Sequence, residues 1–183
     1  MGGLPPERKV ETNMKKLLAL ALALSLALFA AAALAAEINW SDVEANAAEI
    51  DAAFVSIDQV GLKIWVPSVF QSVELTAEDT ENGYIAYFQP ADETAGVGVT
   101  YTDVSGMSLE DYAAALPGVG ATSIDNVQIN GLPGVSYDLE ETSTSVVAFA
   151  TDAGYILEFA FAPMSDEGFA AIAYMMVSSI QAM

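Results

Sequence analysis

The stretch Tyr155-Ile156-Leu157-Glu158-Phe159-Ala160-Phe161-Ala162 is the most strongly patterned part of the chain. Side chains alternate across a strand, so Tyr155, Leu157, Phe159 and Phe161 share one face while Ile156, Glu158 and Ala160 share the other. Just before it, Ser145 to Thr151 and the turn Asp152-Ala153-Gly154 complete a hairpin. Further upstream, Val127 to Asn130 runs through the tight-turn pair Asn130-Gly131 into Gly134 to Leu139. Downstream, Ser165 is placed to cap a helix presenting Phe169, Ile172, Met176 and Ile180 at helical spacing.

Working back toward the N-terminus, Ser108-Leu109-Glu110-Asp111 opens a helix with Leu109, Tyr112, Ala113 and Leu116 on one face, stopped by Pro117-Gly118. Tyr84 to Gln89 and Val97 to Thr102 read as a strand pair. Ala53 to Ile57 and Leu62 to Val66 form a hairpin around Asp58-Gln59-Val60-Gly61, ended by Pro67. Ser41-Asp42-Val43-Glu44 has the spacing of a capping box, and Val43, Ala47, Ile50 and Phe54 predict a first helix to about Asp51. The resulting order of helices and hairpins implies an α+β fold: a mainly antiparallel sheet covered by helices. Repeats, linkers and composition breaks are missing from 36–183, so a single domain is expected there.

The run Gly61-Leu62-Lys63-Ile64-Trp65-Val66-Pro67 resembles the opening strand of the PsbP-like superfamily. The helix start Ser108-Leu109-Glu110-Asp111-Tyr112, the turn Ile129-Asn130-Gly131 and the strand-helix ending Tyr155 to Ile180 follow in the order that family uses. The resemblance spans roughly Phe54 to Gln181 and rests on apolar patterning. It implies an α/β/α sandwich, the architecture shared by an extrinsic photosystem II subunit and a Ran-GTPase release factor. No activity comes with it, because members bind unrelated partners. Members that hold metal or halide beside the photosystem use residues that include His, and this chain has none.

The N-terminus carries a different signal. Met14-Lys15-Lys16 precedes an uncharged run from Leu17 to Leu34 that closes on Ala33-Leu34-Ala35, the small-residue pattern of a signal-peptidase site. The expected signal peptide is 14–35, with cleavage after Ala35 or, alternatively, Ala36, and residues 1–13 form an upstream extension. A retained membrane anchor is the competing reading. With no cysteine after the apolar run, lipoprotein anchoring is excluded. The protein is therefore expected to be secreted or extracytoplasmic, and to have no membrane association once mature.

Cleavage removes four of the five basic residues and two of the 25 acids. Lys63 is then the sole cation against 23 acids, a net charge near −22 over 148 residues. Such a surface repels nucleic-acid phosphates and anionic lipid alike. It serves solubility, or it attracts a cationic partner or calcium. A domain of this size buries enough surface to be stable without disulfides, and a monomer is expected.

The absent residue types narrow the chemistry. Without His or Cys there is no Ser-His-Asp triad, no thiolate nucleophile and no imidazole or thiolate zinc site. Without Arg after position 8 there is no bidentate phosphate clamp, and Gly96-Val97-Gly98 and Gly118-Val119-Gly120 both lack the third glycine of a nucleotide loop. Carboxylates remain. Glu78, Asp79 and Glu81, and likewise Asp138, Glu140 and Glu141, are the candidate calcium ligands, although Glu78 to Gly83 does not fit an EF-hand loop and reads equally as a turn between strands. Asp92 with Glu93 is a further acidic pair. Lys63 is expected to pair with an acid on a neighbouring strand, Glu158 being one possibility, and Trp40 and Trp65 are expected in core packing. The expected function is an exported non-enzymatic binding or accessory module of unknown partner, without catalytic or cofactor-binding residues. A calcium-binding domain and a carboxylate-dependent hydrolase are the alternatives.

Overall fold

A computed structural model describes residues 35–183. The expected extension (1–13) and all but the last residue of the expected signal peptide (14–35) lie outside the described residues. The described residues form an eight-stranded sheet and a three-stranded sheet. The strands are β1 (Ala36–Ile38), β2 (Ala52–Ile57), β3 (Leu62–Pro67), β4 (Phe70–Ser72), β5 (Tyr84–Pro90), β6 (Gly96–Asp103), β7 (Thr122–Ile129), β8 (Leu132–Leu139), β9 (Thr144–Ala150), β10 (Tyr155–Ala162) and β11 (Gln181–Ala182). The helices are α1 (Glu44–Ala47), α2 (Ala77–Glu81), α3 (Leu109–Ala115) and α4 (Glu167–Ser178).

The large sheet runs β1-β7-β8-β9-β10-β6-β5-β4, antiparallel throughout except where β1 joins β7 in parallel. Its two central strands are β9 and β10, and β6 lies on the other side of β10. The alternation read from the sequence decides what each face meets. Leu157, Phe159 and Phe161 enter the main core with Val147, Phe149, Val97 and Val99. Ile156 and Ala160 point the other way, into a second cluster with Val135, Val146 and Ala148. Helix α3 covers that second cluster through Leu109, Tyr112 and Ala113. The main core is closed by Phe169, Ala173 and Met176 of α4 together with the small sheet β11-β3-β2. This is the α+β sandwich expected, with one addition. The hairpin β2–β3 leaves the main sheet and forms a sheet of its own with the C-terminal strand β11.

Local differences from the sequence reading have local causes. The first helix does not run from a Ser41 cap to Asp51. Ser41 lies inside a tight 3₁₀ turn, Trp40–Asp42, and α1 lasts four residues with no side-chain cap. The Trp40 N–H is drawn instead to Asn130 Oδ1 (2.8 Å), and β2 already begins at Ala52, so the helix has nowhere to extend. Helix α4 is capped by Asp166, whose Oδ1 accepts the Phe169 N–H (2.7 Å). Ser165 instead donates its N–H to Ser143 Oγ (2.9 Å). By contrast, α3 starts as expected, with Ser108 Oγ accepting the Asp111 N–H (3.1 Å).

Three distant segments meet at one side chain. The turn Asn130-Gly131 has positive φ at both residues (47° and 82°), the signature of a two-residue hairpin loop. Asn130 Oδ1 accepts the Trp40 N–H, and its Nδ2 donates to the carbonyls of Ser178 (2.7 Å) and Ile180 (2.8 Å). One amide thus ties the N-terminal segment, the β7–β8 turn and the end of α4 together. Removing it breaks three bonds and leaves partly buried backbone groups unpaired, so Asn130→Ala should lower unfolding free energy by about 2 to 4 kcal/mol in urea titration. Asn130→Gly keeps the turn conformation and still loses the bonds. A Gly variant as stable as the native protein would show that the side-chain bonds contribute nothing.

Candidate functional site

The acids singled out from the sequence do not converge. Glu78, Asp79 and Glu81 fall on α2, a single helical turn rather than a loop. Thr76 Oγ1 accepts the Asp79 N–H (3.1 Å) and Asp79 Oδ2 accepts the Thr76 N–H (2.8 Å), so Asp79 closes a capping box. These hydrogen bonds from Thr76 hold the Asp79 carboxyl below the usual range. Asp138 lies across the ladder from Ser145, whose hydroxyl donates to it (2.5 Å). Glu140 accepts from Thr122 Oγ1 (3.2 Å), and Glu141 belongs to the same 3₁₀ turn, Glu140–Thr142. Asp92 accepts from Thr94, which lowers its carboxyl too. Among the described residues no three carboxylates are arranged to hold a metal ion.

Lys63 and Glu158 are in different sheets, which corrects the expected pairing. Lys63 stands opposite Ser56 and Gln181, and its Nζ sits 5.1 Å from the centre of the Phe54 ring, a cation–π contact. Trp40 and Trp65 pack as expected, 5.9 Å apart, with Phe54 edge-on to Trp40 at 5.5 Å.

Glu158 has assembled the densest polar cluster, and it sits on the α3 side of the large sheet. Its Oε1 accepts from the hydroxyls of Tyr112 on α3 and Tyr137 on β8, and its Oε2 from Thr100 Oγ1 (3.1 Å) on β6. Each phenol has one proton and gives it to Glu158, so the 3.2 Å approach of the two hydroxyls is a consequence of sharing one acceptor. Burial, then the hydrogen bond to Glu158, pushes both phenols well above their ordinary value. Both carboxylate oxygens are filled from within the protein, and α3 lies over them. The cluster therefore anchors a helix to the sheet. The sequence offered Glu158 only as a partner for Lys63 and could not supply its actual partners, which come from 21 to 58 positions away.

A second feature is concave. Between β2 and the far edge of the large sheet lies a cleft of about 200 Å³, walled by Val55, Ile57, Val73, Leu75 and Ile85. Its polar side chains are Ser56, Gln59 and Ser72, none of them an acid or a base, and such a lining suits recognition of a chain. No acid from the sequence-derived set lines it.

Two outcomes follow for the cluster. Tyr137→Phe leaves Glu158 with two donors and should cost about 1 to 2 kcal/mol, read by denaturant unfolding. Because folding raises the Tyr112 and Tyr137 values, the neutral phenols favour the folded state. That contribution is present below about pH 10 and is lost as pH rises beyond it. Phenolate absorbance should therefore appear in two steps, with a late class that emerges with alkaline unfolding. A single step at the ordinary phenol value would contradict the geometry.

No family model and no curated protein matches the chain. Among solved structures, it is similar in fold to cyanobacterial PsbP (CyanoP) from Synechocystis sp. PCC 6803, with a TM-score of 0.55 at 12% identity, covering 73% of this chain and 93% of that one. The likeness is one of fold, and it agrees with the PsbP-like patterning of the sequence.

Proposed function

We propose that the chain is an exported, non-enzymatic accessory module whose acidic surface binds a protein partner with a basic face. One observation carries this reading: residues 36–183 set 23 acids against a single lysine, and that lysine is occupied by the Phe54 ring. Opposite charge across an interface speeds encounter and selects partners. Of the sequence-derived acids, Asp79 closes a cap and Asp138 and Glu140 accept hydroxyl hydrogen bonds, uses that leave the wider negative field intact. The catalytic vocabulary is thin, with no His or Cys anywhere and no Arg after Arg8. Export is supported by the signal-like segment 14–35, and no helix among the described residues is long and apolar enough to cross a membrane.

The purified protein should show no hydrolysis of glycan or peptide substrates. Turnover that disappears when one carboxylate is removed would establish the hydrolase instead. Millimolar calcium should leave the melting temperature equal to that in sodium chloride of the same ionic strength. A calcium-specific rise would reinstate Glu78, Asp79, Glu81, Asp138, Glu140 and Glu141 as ligands to be mapped.

A further inference from the structure

Strand β2 is the outer edge of the small sheet. Its partner strand reveals which of its backbone groups point outward. Trp65 turns its N–H away from β2 to Ser179 Oγ (2.7 Å), and the Ser68 N–H crosses the hairpin to the Asp51 carbonyl (2.8 Å). Bonded and non-bonded pairs alternate along an antiparallel ladder. In this register Asp51, Ala53, Val55 and Ile57 face β3, while Ala52, Phe54 and Ser56 present N–H and C=O to the outside.

Natural edges are blunted by charge, proline or a bulge. The sequence of β2, Ala-Ala-Phe-Val-Ser-Ile, has no charge or proline, and its ladder with β3 is regular. Ala53 and Ser56 are exposed, and Phe54 is 41% exposed. The cleft described above runs beside this edge, with Val55 and Ile57 on one wall and Val73 and Leu75 on the other. Acids bracket it. Asp51 and Asp58 flank β2, Glu74 lies between Val73 and Leu75, and all three are exposed.

We propose that this edge is the docking site for an extended segment of a partner protein, which adds as a fourth strand. Its main chain would bond to Ala52, Phe54 and Ser56, its alternate apolar side chains would enter the cleft, and Lys or Arg at its ends would meet Asp51, Asp58 and Glu74. Strand addition draws affinity from main-chain bonds and specificity from pockets for alternate side chains, and both are present here. A second copy of this chain is a poor occupant. Antiparallel pairing of two β2 strands about Phe54 sets Asp51 of one copy opposite Ile57 of the other, one residue from its Asp58, so like charges gather at both ends of the ribbon. This inference rests on the reading of the chain as a binding module for a basic partner.

The test uses the protein as purified after export and three blocked peptides with an alternating Val-Thr core. One is Lys-ended, one Glu-ended, and one Lys-ended with a central Pro. The Lys-ended peptide should shift the amide resonances of Ala52, Phe54 and Ser56 and protect them from exchange. The Glu-ended peptide should bind about tenfold more weakly, the scale of two exposed ion pairs. The Pro peptide should not bind. Ser56→Pro removes an outward N–H without breaking a bond to β3 and should abolish binding. Ser72→Arg, which obstructs the cleft from the opposite wall, should weaken it even if the proline variant misfolds. Equal binding of both Lys-ended peptides, with shifts spread over the acidic surface, would overturn strand addition and leave the charge-based reading standing. Binding of none of the three at low ionic strength would overturn both. Concentration-dependent pairing of the protein through β2 would overturn the choice of a foreign partner.

Discussion

The fold depends on one carboxamide. Asn130 is placed in a left-handed turn by the Gly131 that follows it, and from there its side chain reaches segments 48 to 90 positions away. The carbonyls it binds, Ser178 and Ile180, lie at and just past the C-terminal end of α4, where helix carbonyls lack partners of their own. Holding them directs the chain into β11, which completes the small sheet. Holding the Trp40 N–H places that ring against Trp65 and Phe54 and so covers the same sheet from outside. A three-residue parallel strand and a two-residue terminal strand are too short to keep these positions unaided.

The two faces of the large sheet are built on different terms. Toward α4 the packing is almost wholly apolar, with Phe159, Val97 and Val99 completely enclosed. Toward α3 the sheet carries Glu158, tyrosines and glycines. At Gly98 an added Cβ would lie 2.9 Å from the Tyr84 ring, so the glycine keeps a seat for an aromatic side chain lying flat on the strand. Helix α3 has seven residues, too few to persist by its own hydrogen bonds, and the Tyr112 bond to Glu158 supplies a directional tie that packing alone would lack.

Much of this architecture was legible from local pattern. Strands whose neighbours are joined by short turns, such as β7 with β8 and β9 with β10, announce themselves by alternation and by Asn130-Gly131 or Asp152-Ala153-Gly154. The PsbP-like order was legible for the same reason. The short strands β1, β4 and β11 were not, because two or three residues carry no period and owe their conformation to a partner strand. The Ser41 capping box was a sound local signal defeated by a distant one, the pull of Asn130 on Trp40. The Thr76 and Asp79 box was overlooked because its helix is one turn long. The partners of Glu158 and the open edge of β2 both depend on which strands lie side by side, and alternation says nothing about that.

The position of Lys63 bears on how the folded chain meets proteases. Proteases of tryptic type cut after lysine or arginine, and from residue 36 onward this chain offers them one peptide bond, Lys63-Ile64. That bond lies in the middle strand of the small sheet, with Ile64 fully buried and the lysine laid across an aromatic ring. A protease needs an extended, detached segment to cleave, and freeing this one means dismantling β2, β3 and β11 together. The composition that makes the surface so acidic therefore also makes the folded chain nearly invisible to a whole class of digestive enzymes.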